Sequence, residues 1–118
     1  MANQVLRIEA PIKTVSEMNR REHWTARNKR RVQQRREVYF AWKVGVAGKR
    51  KRFGVPCTVK LTRLGVRMLD DDNLRGALKF VRDQVAELLG MDDADERLTF
   101  EYAQETGSGY GVVIEVFA

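Results

Sequence analysis

One cysteine, one histidine and two prolines are all that this chain of 118 residues holds of those types. A lone Cys57 cannot close an internal disulfide, and its strand-like surroundings mark it as a small buried thiol. The only histidine, His23, falls in a stretch without period, where it reads as structural or exposed rather than as a general base. No apolar run approaches the length of a transmembrane helix, and Met1-Ala2-Asn3-Gln4 lacks the pattern of a signal peptide. A soluble, cytoplasmic protein with no membrane partner is therefore expected. No internal repeat or low-complexity segment is visible. With 43% hydrophobic residues, the length supports one domain over 1–118 with an ordinary core, and two domains would be too small.

Acidic residues are scarce outside one region. Residues 70–96 carry nine Asp/Glu against three Lys/Arg, inside a chain of net charge +6. The remainder is strongly basic. Residues 20–52 hold thirteen Lys/Arg and two acids, Glu22 and Glu37. Arg27, Lys29, Arg30, Arg31, Arg35 and Arg36 cluster with few acidic partners one turn away, and Lys49-Arg50-Lys51-Arg52 forms a second cluster beside glycines. The bland account of such a face is a solvated helix surface. Two dense clusters favour a nucleic-acid footprint instead, with binding that falls steeply as salt rises.

The periodicities give an element order. Val5 to Pro11 alternates as a short strand, and residues 12–23 form a loop. From Trp24 to about Ala47 the pattern is helical, with Val32, Tyr39, Trp42 and Val46 as a narrow apolar stripe and both tryptophans expected in the core. Cys57, Val59 and Leu61 alternate with Thr58, Lys60 and Thr62, and the extended run continues towards Met68-Leu69. Leu74, Ala77, Leu78, Val81, Val85, Leu88 and Leu89 line one stripe of a single helix ending at Gly90, with Asp72 and Lys79 on its free face. Leu98, Phe100 and Tyr102, then Val112, Ile114 and Val116, form two strands around Gly107-Ser108-Gly109, read as a β-hairpin. The order predicts an α+β domain: a small mixed sheet of about four strands with two main helices packed on one face.

Asp70-Asp71-Asp72-Asn73 opens the second helix and Asp92-Asp93 follows it. Asp and Asn are common helix caps, and Asp92-Asp93 could be a plain solvated loop. If Asp70 and Asp72 are still extended, their side chains point the same way. Carboxylates this dense repel one another unless a cation sits among them, and a hard divalent ion is the simplest candidate. Carboxylates holding Mg²⁺ within a basic surface are what metal-assisted phosphodiester hydrolysis requires. A helix of roughly 28 Å separates the two motifs, so another element or a second subunit must bring them together.

Asp70-x-Asp72-Asn73-Leu74, an amphipathic helix and then Asp92-Asp93 resemble the signature of the RusA-type Holliday-junction resolvases, small endonucleases often carried by phages and prophages. Asn19-Arg20-Arg21-Glu22-His23-Trp24 ahead of an arginine-rich helix is also similar to that family's N-terminal region. The resemblance spans about 5–117 in length and element order, and its specific part is the two acidic motifs. It implies a homodimer that nicks opposing strands of a four-way junction in recombination and repair. Mg²⁺ is the implied cofactor, with Mn²⁺ as substitute and no organic cofactor. The implied carboxylates match Asp70, Asp72 and Asp93, with Asp92 as the alternative to Asp93. One position departs: Gly76 stands where the family pattern has a catalytic lysine. Lys79 on the same face, or Arg75, is the candidate replacement near the scissile phosphate. Lys79 can equally be a surface partner of Asp83. Arg27, Lys29, Arg30, Arg31, Arg35, Arg36, Lys49, Arg50, Lys51, Arg52 and Arg75 are the expected DNA contacts. Without a replacing cation, the chain would be a non-catalytic DNA- or RNA-binding relative.

Overall fold

A computed structural model describes residues 2–17, 22–47, 53–92 and 94–118. The elements are β1 (Gln4–Ala10), α1 (Trp24–Gly45), β2 (Cys57–Gly65), α2 (Asp71–Ala77), α3 (Lys79–Leu88), β3 (Leu98–Thr106) and β4 (Gly111–Phe117). They form the expected α+β domain, with a four-stranded mixed sheet in the order β1-β4-β2-β3.

The hairpin expectation is overturned. β3 pairs with β2 in parallel, Cys57 opposite Leu98 through Gly65 opposite Thr106, and β4 lies between β1 and β2, antiparallel to both. Parallel neighbours need a crossover, which α2 and α3 provide. Alternation says which face a side chain takes and nothing about which strand lies alongside. The telling feature was β4's Val112-Val113-Ile114, buried on both faces as in a central strand, whereas β1 and β3 alternate with exposed charges as edges do.

Leu6, Ile8 and Ala10 of β1, Val59 and Leu61 of β2, and Val112, Ile114 and Val116 of β4 share one face with Val38 and Trp42 of α1 and with Val81 and Val85 of α3, making one core. The opposite face carries Arg7, Glu9, Thr99, Glu101 and Glu105 in solvent. Cys57 is buried as expected, and burial pushes its thiol up.

Three helical expectations need correction. The buried row of α1 is Gln34, Val38 and Trp42, continued by Val46, a spacing of four, so Val32 and Tyr39 are largely exposed. Trp24 is 70% exposed and not core, because it lies at the first position of α1, beyond the sheet. The single second helix breaks at Leu78, with φ −97° and ψ 4°, into α2 and α3. Leu78 is nonetheless fully buried, so the apolar stripe runs through the break unchanged.

Candidate metal and nucleic-acid site

β2 ends at Gly65 and the chain turns through residues 66–70 into α2, where three contacts fix its path. Arg63 Nη1 donates to the Arg67 carbonyl at 2.7 Å, and Nε donates to Thr14 Oγ1 at 3.1 Å. Arg63 is buried against the backbone of Gly65, where a Cβ would lie 2.6 Å from Nη1; burial pushes its guanidinium below its ordinary value. Gln104, the register partner of Arg63 on β3, grips Leu69 twice, accepting from its N–H at 2.9 Å and donating to its carbonyl at 2.7 Å.

Asp70 follows as the N-cap of α2 in extended conformation, accepting from Asn73 N at 2.9 Å and from Asn73 Nδ2 at 2.9 and 3.0 Å. The backbone N–H of Asn73, then its amide, hold the Asp70 carboxyl below the usual carboxylate range. Ser16 Oγ donates to Asn73 Oδ1, tying the loop after β1 to the same point. Asp71 and Asp72 belong to the first turn of α2 and Asp70 is its cap, so the extended geometry that would aim Asp70 and Asp72 alike does not occur. All three carboxylates are exposed. Among the described residues Asp72 has no ion-pair partner.

Lys79 Nζ lies 3.3 Å from Asp83 Oδ2, one turn further along α3. The break at Leu78 removes the continuous helical count that set Lys79 beside Asp72. Arg75 holds its guanidinium over the Tyr102 ring at 5.5 Å.

The second acidic motif divides. Gly90, at φ +73°, reverses the chain with Met91 N donating to the Ala86 carbonyl at 3.0 Å, and Asp92 lines a shallow groove with Lys79, Asp83, Glu87 and Met91. Asp92 Oδ1 accepts from Ala94 N at 2.9 Å. Asp95 binds Arg97 through its Nε at 3.0 Å, its Nη2 at 2.8 Å and its N–H at 2.9 Å, and the Arg97 side chain chiefly brings the Asp95 carboxyl down to about 2. Asp93 lies outside the described residues. Among the described residues, no three His, Cys, Asp or Glu side chains gather where one ion could be held.

The basic helix spends part of its charge internally. Arg30 donates through Nε to Glu17 Oε2 at 2.9 Å and through Nη2 to Glu17 Oε1 at 2.6 Å, and it also pairs with Glu22. These carboxylates raise the guanidinium further above its ordinary value, and the Glu17 side chain is only 4% exposed. Arg35 ties α1 to α3 through Gln84 Oε1 at 2.8 Å and Glu87 at 3.2 Å. Arg27 stacks over Phe80 at 5.6 Å. That leaves Lys29, Arg31 and Arg36 exposed, with Arg31 touching only Asn28 among the hydrogen bonds of the described residues. Lys49, Arg50, Lys51 and Arg52 lie outside the described residues. His23 caps α1, its Nδ1 accepting from Thr25 N at 3.3 Å, and its ring lies 5.6 Å from that of exposed Trp24.

Sequence reasoning missed Arg63, Thr14 and Gln104. For Arg63 and Gln104 the one legible signal was polarity inside alternating runs, at positions where the pattern calls for an apolar residue; Thr14, in the loop after β1, gave none. No protein-family model, curated protein or solved structure matches the chain.

Proposed function

We propose that the chain is a Mg²⁺-dependent endonuclease of the RusA kind, acting on branched DNA. The observation that carries this reading is the fixed placement of Asp70 beside exposed Asp71 and Asp72, just beyond the carboxyl end of β2, the strand that pairs in parallel with β3. Asn73, Ser16, Gln104 and Arg63, from four separate segments, hold that turn. These contacts fix an exposed acidic turn in place, and carboxyl ends of parallel strands are where ligands of α/β folds bind.

The donor set suits Mg²⁺. Hard oxygen ligands with retained waters are what that ion takes, and the hydrogen bonds from Asn73 leave lone pairs on the Asp70 carboxylate. In the proposal Asp70 and Asp72 bind the ion, with Asp93 or Asp92 completing the set. The chemistry that Mg²⁺ supplies when bound is activation of a water and neutralisation of charge on the phosphate. Asn73 keeps Asp70 ionised and aimed. Lys29, Arg31 and Arg36, with the segment 49–52, hold the phosphates of the DNA arms.

A second reading rests on its own observation. With Gly76 at the family's lysine position and Lys79 drawn to Asp83, no described lysine stands ready at the acidic turn, which favours a binding protein that does not cut. A nicking assay on a synthetic four-way junction separates the two. The wild type is expected to nick in Mg²⁺ or Mn²⁺ and Asp72→Asn to lose at least a hundredfold of that rate, in keeping with the loss of a metal ligand or its partner. Equal nicking by both proteins sinks the ligand assignment. Salt-sensitive binding without nicking by wild type establishes the second reading.

A further inference from the structure

Arg63 is a buried cation that no described carboxylate answers. Val59, Leu61 and Arg63 follow one another on the same face of β2, so a row of core side chains ends in a charge that is only 6% exposed. Buried charges are normally paired, because the solvation they give up must be replaced. Thr14 Oγ1 and the Arg67 carbonyl, both neutral, take two of the five N–H groups of this guanidinium, and no ion pair joins it to a described residue. The side-chain nitrogens and oxygens that are sealed from solvent without a partner belong to other residues, so Arg63 Nη2, which makes no hydrogen bond, touches solvent.

The surroundings keep that outer edge turned outwards. A Cβ on Gly65 would lie 2.6 Å from Nη1, 2.7 Å from Cζ and 2.8 Å from Nη2. Three nearly equal distances put the glycine over the face of the guanidinium and leave its N–H edges uncovered. Tyr110 lies within electrostatic reach of Arg63, and Lys13 Nζ stands 4.8 Å from the centre of the Tyr110 ring, which brings a second cation to the same end of the sheet. Lys13, Thr14, Arg63 and Tyr110 make all their polar contacts within the described residues. A planar fork with an ammonium group nearby and no carboxylate suits the oxygens of a phosphate. The Arg67 carbonyl held by Arg63 lies on the connection that runs into Asp70, so an anion there would sit on the segment that carries the acidic turn.

We infer that Arg63, aided by Lys13, is a phosphate site, and that its occupant is a backbone phosphate of a strand laid across the acidic turn. That the phosphate belongs to DNA rests on the nuclease reading, whereas the anion site does not. Two measurements on the full chain separate these statements. In the first, thermal melts follow inorganic phosphate replacing chloride at matched ionic strength in the low millimolar range. The wild type should gain a few degrees along a saturating curve. Gly65→Ala, which displaces the guanidinium and keeps its charge, and Arg63→Gln should abolish the saturating gain. Lys13→Gln should raise the half-saturating concentration several-fold, and because Lys13 is exposed this variant reads the site even if Arg63→Gln does not fold. A wild type without the saturating gain overturns the inference, and so does a gain that all three variants keep unchanged. In the second, anisotropy of a labelled four-way junction is measured at graded salt without divalent metal. Gly65→Ala and Lys13→Gln should each make the dependence of log K on log salt shallower by about 0.9, the share of one phosphate contact. A saturating gain with unchanged salt slopes overturns the DNA assignment and gives the site to a free phosphate-bearing molecule. A wild type that shows both effects and never nicks keeps this inference and defeats the nuclease reading alone.

Discussion

Asp70 carries two roles that a single substitution would confuse. As the cap of α2 it accepts from Asn73 N, and as an exposed carboxylate it is the first proposed metal ligand. Asparagine caps a helix about as well as aspartate, whereas alanine does not cap it. Asp70→Asn should therefore leave the melting temperature near that of the wild type and abolish Mg²⁺-dependent nicking, while Asp70→Ala should lower the melting temperature as well. The sign of the pH dependence follows from the direction of the shift. Asp70 has a lower pKa folded than unfolded, so its contribution to stability is full above the ordinary carboxylate range and is lost as pH falls from that range through the lowered folded value. Asp70→Asn should remove that part of the acid sensitivity, as thermal melts over a pH series would show. A variant that keeps the whole acid dependence would place its source elsewhere, with Asp95 and its Arg97 partner next in line.

At the scale of elements, the closest approach is that of α1 to β1. A Cβ on Gly45 would lie 2.3 Å from Cγ2 of buried Ile8. Gly45→Ala should cost about 1–3 kcal/mol by overpacking, measured by urea unfolding. Ile8→Ala removes the methyl group that is struck, so the double variant should lose less than the sum of the single ones. Additive losses would show that the contact does not limit how closely the helix lies. The sequence made this helix legible but not its seating. Period and the absence of proline located α1 to within two residues, yet the buried row passed through Gln34 and Val38, and a glutamine does not announce itself as core. The strands were legible for the same reason, since alternation is a property of each strand alone. Their order was not, because pairing is decided between segments as distant as β1 and β4. The break at Leu78 left no trace, since its side chain continues the apolar stripe and only its backbone departs.

The same division governs the site and the charge of the whole molecule. Asp70-x-Asp72-Asn73 was visible as a motif, whereas Gln104 reaches back 35 positions to hold it and could not be found by spacing. The basic clusters were visible as counts, but counts do not separate charge that meets DNA from charge spent within the fold. Arg30 faces the buried carboxylate of Glu17, and Arg35 joins α1 to α3, whereas Lys29, Arg31 and Arg36 face solvent. Two substitution sets should therefore behave in opposite ways. Changing Lys29, Arg31 and Arg36 together to glutamine should leave stability nearly unchanged and make the dependence of log K on log salt shallower by about 3 for duplex arms, since each phosphate contact contributes roughly 0.9. Arg30→Gln should instead destabilise the fold by about 3 kcal/mol, because Glu17 is left as an uncompensated buried charge, and should barely alter the salt slope of the protein that remains folded. Fluorescence anisotropy with a labelled four-way junction at graded salt, set beside urea melts, reads both quantities. If Arg30→Gln flattens the slope as much as the triple change, then Arg30 leaves Glu17 for phosphate in the complex, and the loop after β1, which also holds Asn73 through Ser16, must open when DNA binds.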